Sequence, residues 1–276
     1  MSGLTRRLSA PDKLTTMANG HPAGTQAVGR ALNILKLLAG TEADLPLSSI
    51  AEELGLSSGT VYRIAKALLA EGLIAQNPWN DEYYLGSGAV LLGQAAQRSF
   101  GIDKMIPFLE RLNEMTEESV NLAIRDGGES VVMTRVQSTL PLRFVQRVGA
   151  RFPLYATASG KVILAFSDNA DEYFDSLPDR LEPVTANTLG TRDDARSAVR
   201  ATRERGFSID DQENVDGVRC VGAPVLDATG QAQAAIVIQG PTVRMDDARL
   251  ITLGADAVRA AQEVSRFLPV DHPLSM

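Results

Sequence analysis

One cysteine, one tryptophan and two histidines occur in 276 residues. A lone cysteine excludes an intrachain disulfide and suits a reducing compartment, so a cytoplasmic protein is expected. His21 and His272 lie near opposite ends of the chain, and no His/Cys/Asp/Glu group has metal-ligand spacing; neither a metal nor another cofactor is expected. No run approaches the roughly 18 apolar residues of a membrane span, and the opening MSGLTRRLSAPDKLTTMANGHPAG has no apolar core for a secretion signal. Excess positive charge is missing too. The net charge of −7 gives the whole molecule no cationic field for nucleic acid, so any basic surface must be local.

What is present is ordinary globular material. Hydrophobic residues make up 44% and charged residues 22%, which is enough apolar matter for a real core. At roughly 150 residues per domain the length suggests two domains. Residues 1–24 carry Ser, Thr, Pro, Gly and Asn without hydrophobic period and read as a disordered, slightly cationic tail (Arg6, Arg7, Lys13).

Three short helices follow. AVGRALNILKLLAG places Val28, Leu32, Leu35 and Leu38 or Ala39 on one face and stops at Gly40. LSSIAEELG opens with serines able to cap and carries Ile50 and Leu54. SSGTVYRIAKALLAEG starts at Ser57 as N-cap, aligns Val61, Ile64 and Leu68, and ends at Gly72. Ala51, Gly55 and Val61 have the spacing of a helix-turn-helix: a small residue at the crossing, a glycine for the left-handed turn, a branched residue packing back. The runs Leu73–Gln76 and Glu82–Leu85 around Asn-Pro-Trp-Asn-Asp read as a hairpin, hence a wing, with Trp79 either anchoring its tip or packing on its base. In such a unit the second helix enters the major groove. That points to Ser57, Ser58, Gly59, Thr60, Tyr62, Arg63 and Lys66 as DNA contacts. The alternative is a plain three-helix packing unit. Residues 25–90 favour it in one respect, because four basic and seven acidic side chains leave −3.

The second half interleaves strands and helices. Ile102 to Met115 repeat as an amphipathic helix, and VNLAIRDGGESVVMTRV alternates about Gly127-Gly128 as a hairpin. Thr191 is placed to cap a helix running to Gly206. FSIDD, RCVGAPVL and AQAAIVIQG read as strands, with a closing helix over 246–267. Cys220 as a nucleophile would need a base, and neither histidine is placed to be one, so an enzyme is the weaker reading. ATASGKV reads as a helix start with backbone N–H groups near Ser159 and Gly160 open to an anion. Asp210 and Cys220 fall near strand ends, and together these residues suit a pocket for a small acid.

The ordered series GRALNILKLL, LSSIAEELGLSSGTVYRIAKALLAEGLI, YYLGSGAVLLG, VNLAIRDGG, FPLYATASGKVILAF, TRERGFSIDDQENVDGVRCVGAPVLDATG and IQGP resembles the IclR family of bacterial transcriptional regulators. The resemblance implies a two-domain α+β fold: a winged helix-turn-helix over 25–87, a linker helix over 88–100, and an effector-binding domain over 101–270. That last domain would be a GAF/PAS-like, mainly antiparallel sheet flanked by helices. It further implies a homodimer or dimer of dimers on double-stranded operator DNA, no catalysis, and a small organic acid effector. The effector would lie among Ala158, Ser159, Gly160, Asp210, Val218, Cys220, Val237 and Gln239. Two departures from the family pattern stand out. Val237-Ile238-Gln239 replaces a Ser-x-Ser, and Tyr155 stands where a histidine is common, which suggests a larger or partly apolar acid. A DNA-independent sensor or scaffold, or a Cys220-dependent enzyme, are the alternatives.

Overall fold

The computed structural model describes residues 24–41 and 43–268. The expected disordered tail, apart from Gly24, lies outside these residues, as do both histidines. The chain divides into two compact units, at Leu92/Gly93.

The first unit contains α1 (Gln26–Ala39), α2 (Leu47–Glu53), α3 (Ser58–Ala70), β1 (Ile74–Gln76), β2 (Tyr83–Leu85) and the start of α4 (Ser87–Ser99). Its core joins Ile34, Leu37 and Leu38 of α1 to Ile50, Ala51, Val61, Ala65, Leu68, Ile74 and Tyr83. The α1 face differs from the one expected. This helix has two apolar stripes one residue out of phase, and packing against α3 and β2 selects Ile34/Leu37/Leu38, leaving Val28 and Leu32 exposed. The N-cap of α2 is Pro46 rather than a serine. Gly55, at φ +61°, makes the left-handed turn between α2 and α3. Antiparallel β1 and β2 form the wing, and Leu45 bridges to Tyr83 on its other edge.

The second unit is built on a six-stranded antiparallel sheet in the order β5-β4-β3-β8-β7-β6. Its strands are β3 (Ser119–Asp126), β4 (Glu129–Val136), β5 (Arg151–Pro153), β6 (Ser208–Asp211), β7 (Val218–Leu226) and β8 (Ala232–Pro241). Gly127-Gly128 closes the β3–β4 hairpin, with Asp126 facing Glu129. Helices α5 (Ile102–Thr116) and α9 (Asp247–Val264) cover one face; α6 (Ala158–Ala165) lies on the other, with α8 (Arg192–Arg205) and α7 (Ala170–Ser176) beyond it.

The alternation of side chains along each strand sorts the two faces. Val120, Leu122, Val221, Ala223, Ile236 and Ile238 join Met105, Leu109, Leu253 and Ala257 in the main core. Their neighbours Cys220, Ala235 and Val237 face α6 instead. Thr191 caps α8 by accepting the Asp194 amide at 3.1 Å, and Gly206 ends it at φ +84°. Glu118, 1% exposed, takes a two-pronged hydrogen bond from Arg244 at 2.6 and 2.8 Å, clamping the start of β3 to the turn after β8. Strand β5 and helix α7 carry no clear period in the sequence, and Met115 at the end of α5 is exposed.

Helix α9 approaches the sheet through Gly254, where a Cβ would come within 2.4 Å of the Phe207 ring. Gly254→Ala is expected to cost about 1–3 kcal/mol through forced displacement of that ring, readable as a lowered urea midpoint with an unchanged slope.

Candidate functional site

On the first unit, α3 presents a clean division. Val61, Ala65 and Leu68 are buried, while Ser57, Ser58, Gly59, Tyr62, Arg63 and Lys66 are exposed and Thr60 is half-buried. Ser57 caps the helix, its Oγ accepting the Thr60 amide at 3.4 Å and lying 2.9 Å from Thr60 Oγ1. Nothing occupies the space over Gly59, so its backbone is open to close approach. Among the described residues Arg63 and Lys66 make no ion pair; Lys66 Nζ lies 5.7 Å from the Tyr62 ring centroid. The net acidity of the unit therefore does not neutralise this face. Trp79 is 90% exposed at the tip of the wing, which rules out packing on the hairpin base.

On the second unit, the register lines up Ser119, Gln239, Cys220 and Asp210 in one row across β3, β8, β7 and β6. The next row on the same face is Asn121, Val237, Gly222 and Ser208. The start of α6 descends on these rows. At Gly222 a Cβ would lie 2.8 Å from the Ala158 carbonyl oxygen, and Ser208 Oγ donates to that oxygen at 2.6 Å. A cavity is left between α6 and the sheet. It has room for about one ordered water at its centre, within about 440 Å³ of atom-free space that includes its mouth.

Of the residues expected at an effector site, Ala158, Ser159, Asp210, Val218, Cys220, Val237 and Gln239 line this cavity. Gly160 does not. A Cβ there would lie 2.1 Å from the Leu154 carbonyl oxygen, so its glycine serves close backbone packing. Its amide is not open to an anion either, because Thr157 Oγ1 accepts it at 3.0 Å. Tyr155 also sits elsewhere, packed with Tyr173 and Phe174, its hydroxyl donating to the Glu182 carbonyl at 2.9 Å. Sequence reasoning missed Asn121, Phe144, Gln146, Phe152 and Asn214. Phe144 and Gln146 come from the irregular segment between β4 and β5, where no period marks a wall residue. Asn121, by contrast, was detectable as a polar residue set between Val120 and Leu122 in the strand.

The polar wall is tightly linked. Ser159 Oγ lies 2.6 Å from Ser130 Oγ, and Asn121 Nδ2 donates to Gln146 Oε1 at 2.7 Å. Behind the wall, Lys161 pairs with Glu213, both almost wholly buried. Asp210 Oδ1 accepts the Glu213 amide at 2.7 Å. Burial drives the Asp210 pKa up to about 7; Lys161 opposes this and Glu213 adds to it. Burial, with Asp210 alongside, also pushes the Cys220 thiol well above its usual range. A buried thiol held in its neutral form is the reverse of an activated nucleophile. Among the described residues no group of His, Cys, Asp and Glu is arranged to hold a metal, and no helix is long and apolar enough to cross a membrane.

A winged helix-turn-helix with an exposed, unpaired cationic helix face is the build of a DNA-binding regulator. The chain belongs to the IclR family of bacterial transcriptional regulators. The family model described as "Bacterial transcriptional regulator IclR C-terminal" matches residues 95–266, and the "IclR helix-turn-helix domain" matches residues 27–78. The chain is 35% identical to the "HTH-type transcriptional regulator XynR" of Escherichia coli (strain K12), over 88% of this chain and 97% of that protein. It is similar to the crystal structure of the Thermotoga maritima IclR with TM-score 0.72 and 28% identity, covering 88% and 98% of the two chains. An IclR homologue from Microbacterium hydrocarbonoxydans, complexed with 4-hydroxybenzoate, shares the fold at TM-score 0.74 and 16% identity, covering 87% and 99%. The family is one of regulators rather than enzymes.

Asp210 makes stability depend on pH. Its folded-state pKa lies above the unfolded value, so the protonated form favours folding and that contribution is lost as pH rises through about 7. Asp210→Asn has no such loss. Its thermal midpoint relative to the unsubstituted protein is expected to rise between pH 5 and pH 8, as differential scanning fluorimetry would read.

Proposed function

We propose that this regulator binds its operator through the exposed face of α3 and that a small organic acid in the α6–sheet cavity modulates that binding. The carrying observation is the exposed Arg63/Lys66 face, which makes no ion pair among the described residues, in a unit whose total charge is otherwise acidic. In this reading Ser57, Ser58, Gly59, Thr60, Tyr62, Arg63 and Lys66 approach the major groove, and the wing touches backbone. The protein works as a homodimer or dimer of dimers in the cytoplasm, each copy reading one half-site. In this reading a DNA-binding unit runs over 25–87, a linker helix over 88–100 and an effector domain over 101–270.

The effector contacts Ala158, Ser159, Asp210, Val218, Cys220, Val237 and Gln239, with Asn121 added. The 4-hydroxybenzoate complex of the Microbacterium homologue supports an acid as ligand class. An acid of that size needs more room than one water occupies, so Phe144 and Gln146 on the irregular segment must give way. The liganded and free forms then differ in structure, and a ligand that binds one such form better changes DNA affinity by that difference.

Arg63→Ala is expected to weaken operator binding by about 1–3 kcal/mol if Arg63 reads a base. It should leave acid binding intact. A gel-shift titration on the DNA upstream of the protein's own gene, repeated across salt concentrations, tests this. Unchanged operator affinity in the variant would remove Arg63 from the interface.

A further inference from the structure

We infer that an organic acid enters the α6–sheet cavity together with one proton, and that Asp210 carries it. This rests on the reading of the cavity as an acid site and adds to it a requirement on charge. Among the described residues lining the cavity there is no arginine, lysine or histidine; the ionisable ones are Asp210 and Cys220. The nearby cation is Lys161 of α6. It is 2% exposed, stands off the lining, and is already paired with Glu213.

The groups facing Asp210 are therefore Lys161 from α6, Glu213 from the loop after β6, and Cys220 from β7. Asp211, next along β6, is exposed and pairs with Arg219 at 2.8 Å. With Asp210 ionised, the cluster holds two carboxylates against one ammonium. An acid ligand would bring a third carboxylate against Asp210 in a site 3% exposed, where like charges repel with little screening.

Among the described residues the wall offers an anion no charged donor, only the neutral amides of Asn121, Gln146, Asn214 and Gln239 with hydroxyls and the Cys220 thiol. Asn121 Oδ1 and Asn214 Oδ1 make no hydrogen bond among the described residues, and both are acceptors. A proton on Asp210 changes the balance. Its carboxyl becomes an O–H donor to the ligand carboxylate, while Oδ1 keeps the Glu213 amide. The proton comes from solvent on binding and returns to it on release. Burial already holds the Asp210 pKa near 7, so this proton is readily taken up at neutral pH. The buried Cys220 thiol stays neutral throughout.

The test uses the full chain with benzoate, 4-hydroxybenzoate, phenylacetate and 2-oxobutyrate, all ionised between pH 6 and pH 8.5. Affinity for the tightest of them is expected to fall by about tenfold per pH unit above the Asp210 pKa. Calorimetry at pH 8, in two buffers of different ionisation enthalpy, should report one proton taken up per ligand. Asp210→Asn, whose amide mimics the protonated acid, should bind at pH 8.5 at least as tightly as the unsubstituted protein and take up none. The proton count of the unsubstituted protein stands as a test even if this variant fails to fold. Binding with a flat pH profile and no proton uptake overturns the inference and leaves the acid site standing. Uptake that persists in Asp210→Asn also overturns it, by assigning the proton to another group. Binding of none of the four acids overturns the acid site itself, and the inference with it.

Discussion

The arrangement of the second unit depends on how closely the start of α6 sits on the sheet. Gly222 permits that approach, since a Cβ there would lie 2.8 Å from the Ala158 carbonyl oxygen, while Gly160 lets α6 pack on the backbone of Leu154 in the turn that precedes it. At this short separation Ser208 bonds directly to the Ala158 carbonyl, and the row Asp210, Cys220, Gln239 stands opposite Ser159. A side chain at Gly222 would force α6 away from the sheet and change the shape of the cavity between them. The same approach puts Lys161 out of water, and its pairing with Glu213 follows from the cost of leaving a buried ammonium alone.

Burial then sets the chemistry of the site. Asp210, Cys220, Gln239 and Asn121 are polar or ionisable groups in a region with almost no solvent. Such groups are held by hydrogen bonds or kept in their neutral forms. Cys220 illustrates this: the feature that makes it conspicuous in the sequence, being the single thiol, says nothing about reactivity, and its surroundings hold it as a neutral wall atom. The first unit works by the opposite physics. There the proposed functional face is α3 at the surface, and its value lies in cations that no carboxylate among the described residues pairs with.

Much of the fold was legible before any coordinate. The Gly127-Gly128 hairpin, the Thr191 cap with Gly206 at the other end, and the helix-turn-helix glycine Gly55 are local devices, each set by residues adjacent in sequence. The α3 surface was equally readable, because one helical period fixes both its buried and its exposed side. The α1 face was read correctly at Leu35 and Leu38 but not at Val28 and Leu32, because helical spacing alone does not decide between these and Ile34/Leu37, and only packing against α3 and β2 does. Gly160, expected at the site from the helix start and from the family resemblance, instead packs on Leu154, and Tyr155, noted as a departure from the family pattern, packs with Tyr173 and Phe174.

By itself the sequence determined most of the order of elements, β5 and α7 excepted, since the others follow from periodicity, caps and turns within short windows. Tertiary structure decided which residues meet. Strand register brought Asp210, Cys220 and Gln239 into one line, and the irregular segment after β4 added Phe144 and Gln146 to the wall. It also decided charge. Asp210 is an ordinary aspartate in the sequence, and only its removal from water beside Glu213 and Lys161 brings its protonation into the neutral range. Desolvation and Coulomb interactions depend on distances between residues far apart in the chain, and no local pattern encodes them.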